Sequence, residues 1–481
     1  MAEPHTQHDD LDVEVDFFGQ LPGFNIYTQI SFCFPMALSA QREQVIQALE
    51  QGLEKLSDAF PWCAGKVVAE QAAPGRPSII KIKRHLPAPS LVVKDLTSDP
   101  SALTMESLRD ANFPFRMLDE SLIAPRNTIP GTSSEPISKE FPVFIVQANF
   151  IIGGLILTIN AAHNVMDMVG QGQLIRLFSK ACRGEPFTPA DLKSGVLDVK
   201  VPTLDDLSGA RMMVEHQIKK RVDKAQLHAA GADSTGKAET TALPPPPPAK
   251  AAAIWAYFDF PPASLEAIKS RALGSLPATA RFVSTDDALS AFIWQAIARA
   301  RLPRFSLTTP SVTFGRAVDV RSALGISPAY MAIMQNMVYT TFPTFQDLVA
   351  APLGAVAAQL RGALDPEEMK RNTYALATCV RHARDNVDSG LEVDVGAHIN
   401  MDKDLMLSSW AKVQCYDLDF GLGLGEAECV RRPQFVPVES LMYLMPRTRE
   451  GDITFAACLS EEDMRRLVED DEFSRFSKYI P

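Results

Sequence analysis

The sequence lacks the roughly 18-residue apolar run that a membrane-spanning helix requires, and its start, MAEPHTQHDDLDVEVD, is acidic where an export signal is basic and then apolar. A cytoplasmic protein with no membrane partner is expected. Positive charge is also short: 47 Lys and Arg against 58 Asp and Glu leave a net charge of −11. Such a chain repels a phosphate backbone, and no basic face recurs with interleaved aromatics, so nucleic acid is not an expected partner. Local basic residues and helix N-termini can still hold a small anion against the distant net charge. Seven cysteines (Cys33, Cys63, Cys182, Cys379, Cys415, Cys429, Cys458) stand singly with no CxxC pair. Reduced thiols are expected, with neither a disulfide framework nor a structural zinc.

What is present is a globular composition, 46% apolar and 22% charged, over 481 residues, more than one ordinary core accommodates. Two domains are expected. The clearest break is AAGADSTGKAETTALPPPPPAKAAA, residues 229–253, whose five prolines favour an extended chain and whose small flanking residues offer little to bury. Read as a linker, it separates a domain over 1–228 from one over 254–481, with no convincing sequence repeat between them. The acidic first dozen residues read as a tail.

In the first half, PVFIVQANFIIGGLILTIN reads as two strands joined at Gly153 and Gly154, with Leu155, Leu157 and Ile159 on one face of the second. Leu174, Leu177, Phe178 and Cys182 then recur at helical spacing, which predicts a helix over about Met166 to Ala181. His163 falls in the turn between them, with Asp167 four residues on. A rigid scaffold can hold a side chain out of the core at such a turn. An i, i+4 His–Asp pair can be half of a metal site, but the other histidines supply no third ligand, and no metal is expected. It can also be only a helix start with a dipole-compensating acid. The functional alternative is a general base: imidazole, with an ordinary pKa of about 6.5, suits removal of a hydroxyl proton as it attacks an activated carbonyl such as a thioester. Asp167 can contact the ring or turn away to pair with an arginine. The second is expected, with Arg321 of AVDVR as partner.

In the second half, Ser284 and Asp287 of FVSTDDALSAFIW give a capping-box start to an apolar helix. MLSSWAKVQ reads as a strand on which the Ser408 hydroxyl and the Trp410 indole N–H can donate to an oxyanion, or serve only as strand serine and core tryptophan. In DFGLG, Asp419, Phe420, Gly421 and Gly423 read as a structural clamp rather than a catalytic loop. Two basic clusters, KIKR at 81–84 and RARLPR at 299–304, read as solvated faces, the second within possible reach of coenzyme A phosphates. No cysteine has a neighbouring histidine or glycine-framed turn, which disfavours an acyl-cysteine intermediate.

HxxxD with a nearby glycine (His163, Asp167, Gly170) and DFGxG half a chain downstream (Asp419 to Gly423) together resemble the BAHD acyltransferases. Within that family GQLPGFNIYTQISF, MDMVGQ, STDDALSAFIW, LSSWAKV and RRPQFVPVESLMYLMP are similar to the fungal trichothecene 3-O-acetyltransferases, nearly from end to end. The resemblance implies an α/β protein of two chloramphenicol-acetyltransferase-like domains, each a mixed sheet with flanking helices, and an active-site channel between them. It implies acetyl-CoA as co-substrate, a small hydrophobic alcohol as acceptor, such as the 3-hydroxyl of a trichothecene, a monomer, and His163 as base. Another acyl donor, another alcohol, or a catalytically silent binding protein of the same shell are the competing readings. The chain departs from the family pattern at Leu422, where tryptophan is usual, and at Met168, where glycine usually follows the aspartate. It departs again at Ala162, Asn164 and Val165, which flank the base and are expected to alter the acceptor pocket.

Overall fold

The structure, a computed structural model, describes residues 11–36, 41–71, 78–85, 91–98, 103–131, 141–220, 252–305 and 311–481. Two mixed sheets dominate. The first has five strands in the order Cys429–Arg431, Tyr27–Pro35, Gly154–Ala162, Phe144–Ile151 and Val92–Asp95. The expected hairpin lies at its centre, with Phe144 opposite Ala161 and a turn at Gly153, whose φ of +76° suits glycine. Both faces of Gly154–Ala162 are buried, which accounts for its nearly unbroken apolar run.

The second sheet has seven strands in the order Gln335–Phe342, Val312–Asp319, Leu405–Ser409, Leu441–Leu444, Ile453–Ser460, Ala253–Phe260 and Lys478–Ile480. Its apolar face packs on the helix Thr285–Arg301, which is buried nearly all round. That helix opens with the predicted capping box, Ser284 Oγ accepting from Asp287 N and Asp287 Oδ2 from Ser284 N. Smaller sheets pair Asp12–Glu14, Ser78–Lys83, Lys66–Gln71 and Phe141–Pro142, and Leu391–Val393 with Ile218–Lys220.

Residues 229–251 of the proline-rich segment lie outside the described residues, and Ala253 already opens a strand. The halves interlock: Cys429–Arg431 pairs with Tyr27–Pro35, and Leu391–Val393 with Ile218–Lys220. Three expectations need correction. Residues 1–10 of the expected tail lie outside the described residues, and its last residue, Asp12, instead opens an edge strand, Asp12–Glu14, paired with Lys81–Lys83. The strand over LSSWAKV stops at Ser409, so Trp410 lies just past its end. The RARLPR arginines are not simply a solvated face: Arg301 is buried, and all three meet carboxylates of the fold, Arg299 pairing with Asp470 while Arg301 and Arg304 share Asp463. Their charges are paired within the fold. Similarly, Lys81 and Lys83 share Glu70.

Candidate active site

The strand Gly154–Ala162 delivers His163 to the turn, and the helix Met168–Cys182 leaves from it, starting two residues later than the periodicity predicts because Asp167 is its N-cap. The His163 backbone N–H donates to Ile26 O at 2.9 Å, which holds the turn to the neighbouring chain. On the ring, Nδ1 lies 3.1 Å from the Met166 carbonyl. A carbonyl only accepts, so Nδ1 carries the proton and Nε2 keeps the lone pair. Burial lowers the imidazole pKa, against the raising effects of the Met166 carbonyl and the Asp167 charge. The ring is therefore neutral at neutral pH. The Phe24 ring, 4.8 Å away between centroids, covers one side of it.

Asp167 is turned away from the ring. Its Oδ1 accepts from Gly170 N at 2.8 Å and Arg321 Nη2 at 3.0 Å, and its Oδ2 from Met334 N at 2.7 Å and Arg321 Nη1 at 2.9 Å. Arg321 uses its remaining donors on Tyr330 O, Ala332 O and Asp319 Oδ1. The pair is buried, Asp167 at 3% and Arg321 at 0% exposure, with every guanidinium donor engaged. Gly170 permits this close approach, since a Cβ there would lie 1.9 Å from the Met331 carbonyl oxygen. The first-half helix is thus bolted to a second-half loop through Asp167, four residues from the base.

His163 lines a cavity of about 220 Å³ walled by both halves. Phe24, Ile26 and Met168 come from the first half, and Met337, Leu407 and Leu441 from the second. Ser408 and Trp410 are in the wall too. The indole N–H donates to Ser408 Oγ at 3.0 Å, so it is not free for an oxyanion, and the serine keeps its own hydrogen to donate. DFGLG stands apart from this cavity. Phe420 packs edge-on against Phe32, Phe34 and Phe178, Asp419 Oδ1 accepts from Gly421 N, and the Asp419 carbonyl accepts from Arg183. Gly421 and Gly423 have φ of +67° and +71°, and Leu422 is buried in the same core. The geometry is that of a clamp.

The flanking residues overturn one expectation. Ala162, Asn164 and Val165 are buried at 0, 1 and 2% exposure, and none lines the reaction cavity. Asn164 Nδ2 instead donates to Gly19 O at 2.9 Å, and Val165 faces a second cavity beside Asp16. The turn projects only the histidine toward the reaction space. Sequence reasoning missed Arg432, whose place in the wall was signalled only by RRP, two adjacent arginines in an apolar stretch.

The family model described as "Transferase family" matches residues 124–474, and that described as "Trichothecene 3-O-acetyltransferase-like N-terminal domain" matches 26–182. The chain belongs to the Transferase family of acyltransferases. It is 46% identical to the O-acetyltransferase dmxR13 of Cryptosporiopsis sp., covering 98% of each chain. It is 43% identical to the trichothecene 3-O-acetyltransferase TRI101 of Fusarium sporotrichioides, covering 100% of this chain and 99% of that one. Among solved structures it is similar to F. graminearum TRI101 complexed with ethyl coenzyme A, at 42% identity and a TM-score of 0.87 over 98% of this chain and 100% of that one. Vinorine synthase, at 16% identity and a TM-score of 0.62, shares the fold, covering 97% of this chain and 94% of that one. The two-domain mixed α/β architecture and the acyltransferase class implied by the BAHD resemblance are thereby shown.

Proposed function

We propose that the protein transfers the acetyl group of acetyl-CoA directly to a hydroxyl of a compact hydrophobic terpenoid, the 3-hydroxyl of a trichothecene being the acceptor to test. The observation that carries this is the tautomer imposed on His163: the Met166 carbonyl holds the proton on Nδ1, which leaves Nε2 basic in an apolar cavity. As the hydroxyl oxygen attacks the thioester carbonyl, Nε2 takes its proton, and the C–O bond forms. Ser408 Oγ, accepting from Trp410, donates to the oxyanion. When the C–S bond breaks, the imidazolium returns the proton to the thiolate, and free coenzyme A leaves. Direct transfer is favoured because no cysteine lines the cavity and burial pushes the thiols up, Cys415 to about 12 and Cys429 to about 11. MDMVGQ and LSSWAKV support the trichothecene reading. The slightly greater identity to dmxR13, 46% against 43%, favours a second reading in which a different secondary-metabolite alcohol is the acceptor.

The test is steady-state kinetics with acetyl-CoA, a 3-hydroxyl trichothecene and its 3-deoxy analogue, in the wild type and in His163→Ala. Loss of the base lowers kcat by ~10² to 10⁴. A His163→Ala variant that retains a tenth of the activity would remove His163 from the mechanism. Equal turnover of both trichothecenes would show that another hydroxyl reacts.

A further inference from the structure

Among the described residues that line the reaction cavity, Arg432 alone carries a formal charge, in walls otherwise apolar or neutral. It is 1% exposed. Its guanidinium lies 4.4 Å from the Phe435 ring centroid, 4.7 Å from that of Tyr443 and 5.5 Å from that of Trp410. Nη2 donates to Thr128 Oγ1 at 3.2 Å, while Nε is buried with no hydrogen-bond partner. No carboxylate of the described residues forms an ion pair with it. Glu120 feels its charge without pairing with it, and shares Thr128, whose backbone N–H donates to Glu120 Oε2 at 2.6 Å.

Ring faces attract a cation, but they do not take up the N–H groups in the guanidinium plane. A buried charged donor without an acceptor is costly, and in a folded protein such a group calls for an explanation. A catalytic cavity supplies one. A ligand oxygen that approaches in the guanidinium plane gains a charge-assisted hydrogen bond whose desolvation cost the fold has already met. The apolar walls account for a hydrophobic acceptor, and the lone cation accounts for a second polar feature on it.

Resting on the acetyltransferase reading above, we propose that Arg432 is a specificity-determining residue that donates to an oxygen of the alcohol other than the reacting hydroxyl, a ring-ether or carbonyl oxygen. The site then selects oxygenated polycyclic alcohols over their hydrocarbon counterparts. The reacting carbonyl is served by Ser408, so loss of Arg432 falls on acceptor recognition rather than on the oxyanion.

The test uses matched sesquiterpenoid alcohols, one with a ring ether and one with a methylene in its place, assayed with acetyl-CoA by release of free thiol. Wild type prefers the ether in kcat/KM by ~10 to 100-fold, the range of one hydrogen bond to a charged group. In Arg432→Met the ether's KM rises and the preference collapses to about threefold or less; Arg432→Lys keeps part of the preference. Melting curves establish that each variant is folded, and if Arg432→Met is not, the lysine variant and Arg432→Gln carry the comparison. Equal loss on both alcohols, confined to kcat, would overturn the proposal, as would an unchanged preference. If wild type acetylates neither alcohol, the terpenoid-acceptor reading is what fails. Calorimetric binding of the hydroxyl-free ether then decides the inference: about tenfold weaker binding in the variant sustains it, and equal binding overturns it.

Discussion

Asp167→Asn isolates the role of the aspartate in HxxxD. The carboxylate receives four N–H donors, two on each oxygen, from Gly170, Met334 and both Nη atoms of Arg321. An asparagine of the same shape must turn its NH2 toward two of those donors, and the Arg321 charge, at 0% exposure, loses its buried counterion and keeps only the exposed Asp319. Removing one member of a buried pair costs about 3 to 5 kcal/mol. Unfolding entropy of about 2.1 cal/mol/K per residue gives about 1 kcal/mol/K for 481 residues melting as a unit. The Tm should therefore fall by about 3 to 5 °C, read by calorimetry or intrinsic fluorescence. Activity falls with it, because Met166, whose carbonyl fixes the His163 ring, immediately precedes the loosened residue. A displacement of about 1 Å costs ~10² in rate.

The pair also predicts non-additivity. With Arg321→Met already in place, Asp167→Asn has no buried cation left to strand, and the combined Tm loss should fall short of the sum by an amount equivalent to about 1 to 3 kcal/mol. An Asp167→Asn protein with wild-type Tm and a loss of more than about 10³ in kcat would refute the structural reading, since that profile belongs to an acid acting on the ring itself. Strict additivity in the double variant would refute it as well.

The pH profile of kcat/KM should have its acid limb below the ordinary histidine value of about 6.5, since burial lowers the His163 pKa and the neutral ring is the active form. Activity is then lost as pH falls through that lowered value and is level above it, and a limb above 6.5 contradicts the assignment. Ser408→Ala removes the donor facing the oxyanion and should lower kcat by ~10² with little change in KM, whereas Trp410→Phe, which only releases the serine, should cost less; the reverse order in steady-state assays would reassign the donor. Asp16, beside the second cavity, is pushed up to about 7 by burial despite hydrogen bonds from the Gly19 and Phe18 N–H groups. A raised carboxyl pKa means stability that is full below the ordinary value and lost as pH rises through about 7. Asp16→Asn should thus raise Tm relative to wild type at pH 8, by an amount that shrinks toward pH 4, and a pH-independent difference would contradict this.

The parts of the site that were legible in the sequence are those written in local spacing. A β-branched run ending at a glycine-turn hairpin, then apolar residues at helical intervals, places His163 between strand and helix. Capping chemistry fixes Ser284 with Asp287 because both groups lie in one turn. The Asp167–Arg321 contact, 154 residues apart, was reachable because an aspartate near a helix start turns its side chain toward the backbone and the domain interior rather than the ring. What local spacing does not encode is which side of a turn faces the ligand. Ala162, Asn164 and Val165 adjoin the base in sequence, yet all three are buried away from the reaction cavity, and Asn164 holds the turn to Gly19. Arg432 is remote in sequence and stands in the cavity wall.

That separation bears on how such proteins diverge. The base, its tautomer and its buried ion pair form one unit, fixed by Met166, Asp167, Gly170 and Arg321, and none of those four contributes to the wall of the reaction cavity. The wall draws on Phe24 and Ile26 before the first central strand and on Met337, Leu407, Arg432 and Leu441 of the second half. Substitutions at the second-half wall residues Met337, Leu407 and Leu441 leave the proton path untouched, because they do not bear on the atoms that orient the ring, whereas Phe24 covers the ring and Ile26 O accepts from the His163 N–H. Substitutions in the unit strand a charge or move a helix and are felt as lost stability before they can alter selectivity. Acceptor range should therefore follow the wall residues and be insensitive to the residues flanking the histidine, so that exchanging Asn164 for a smaller side chain alters Tm while leaving the ratio of kcat/KM between two acceptor alcohols within about twofold. A change of that ratio by tenfold would place the flanking residues back in the acceptor site.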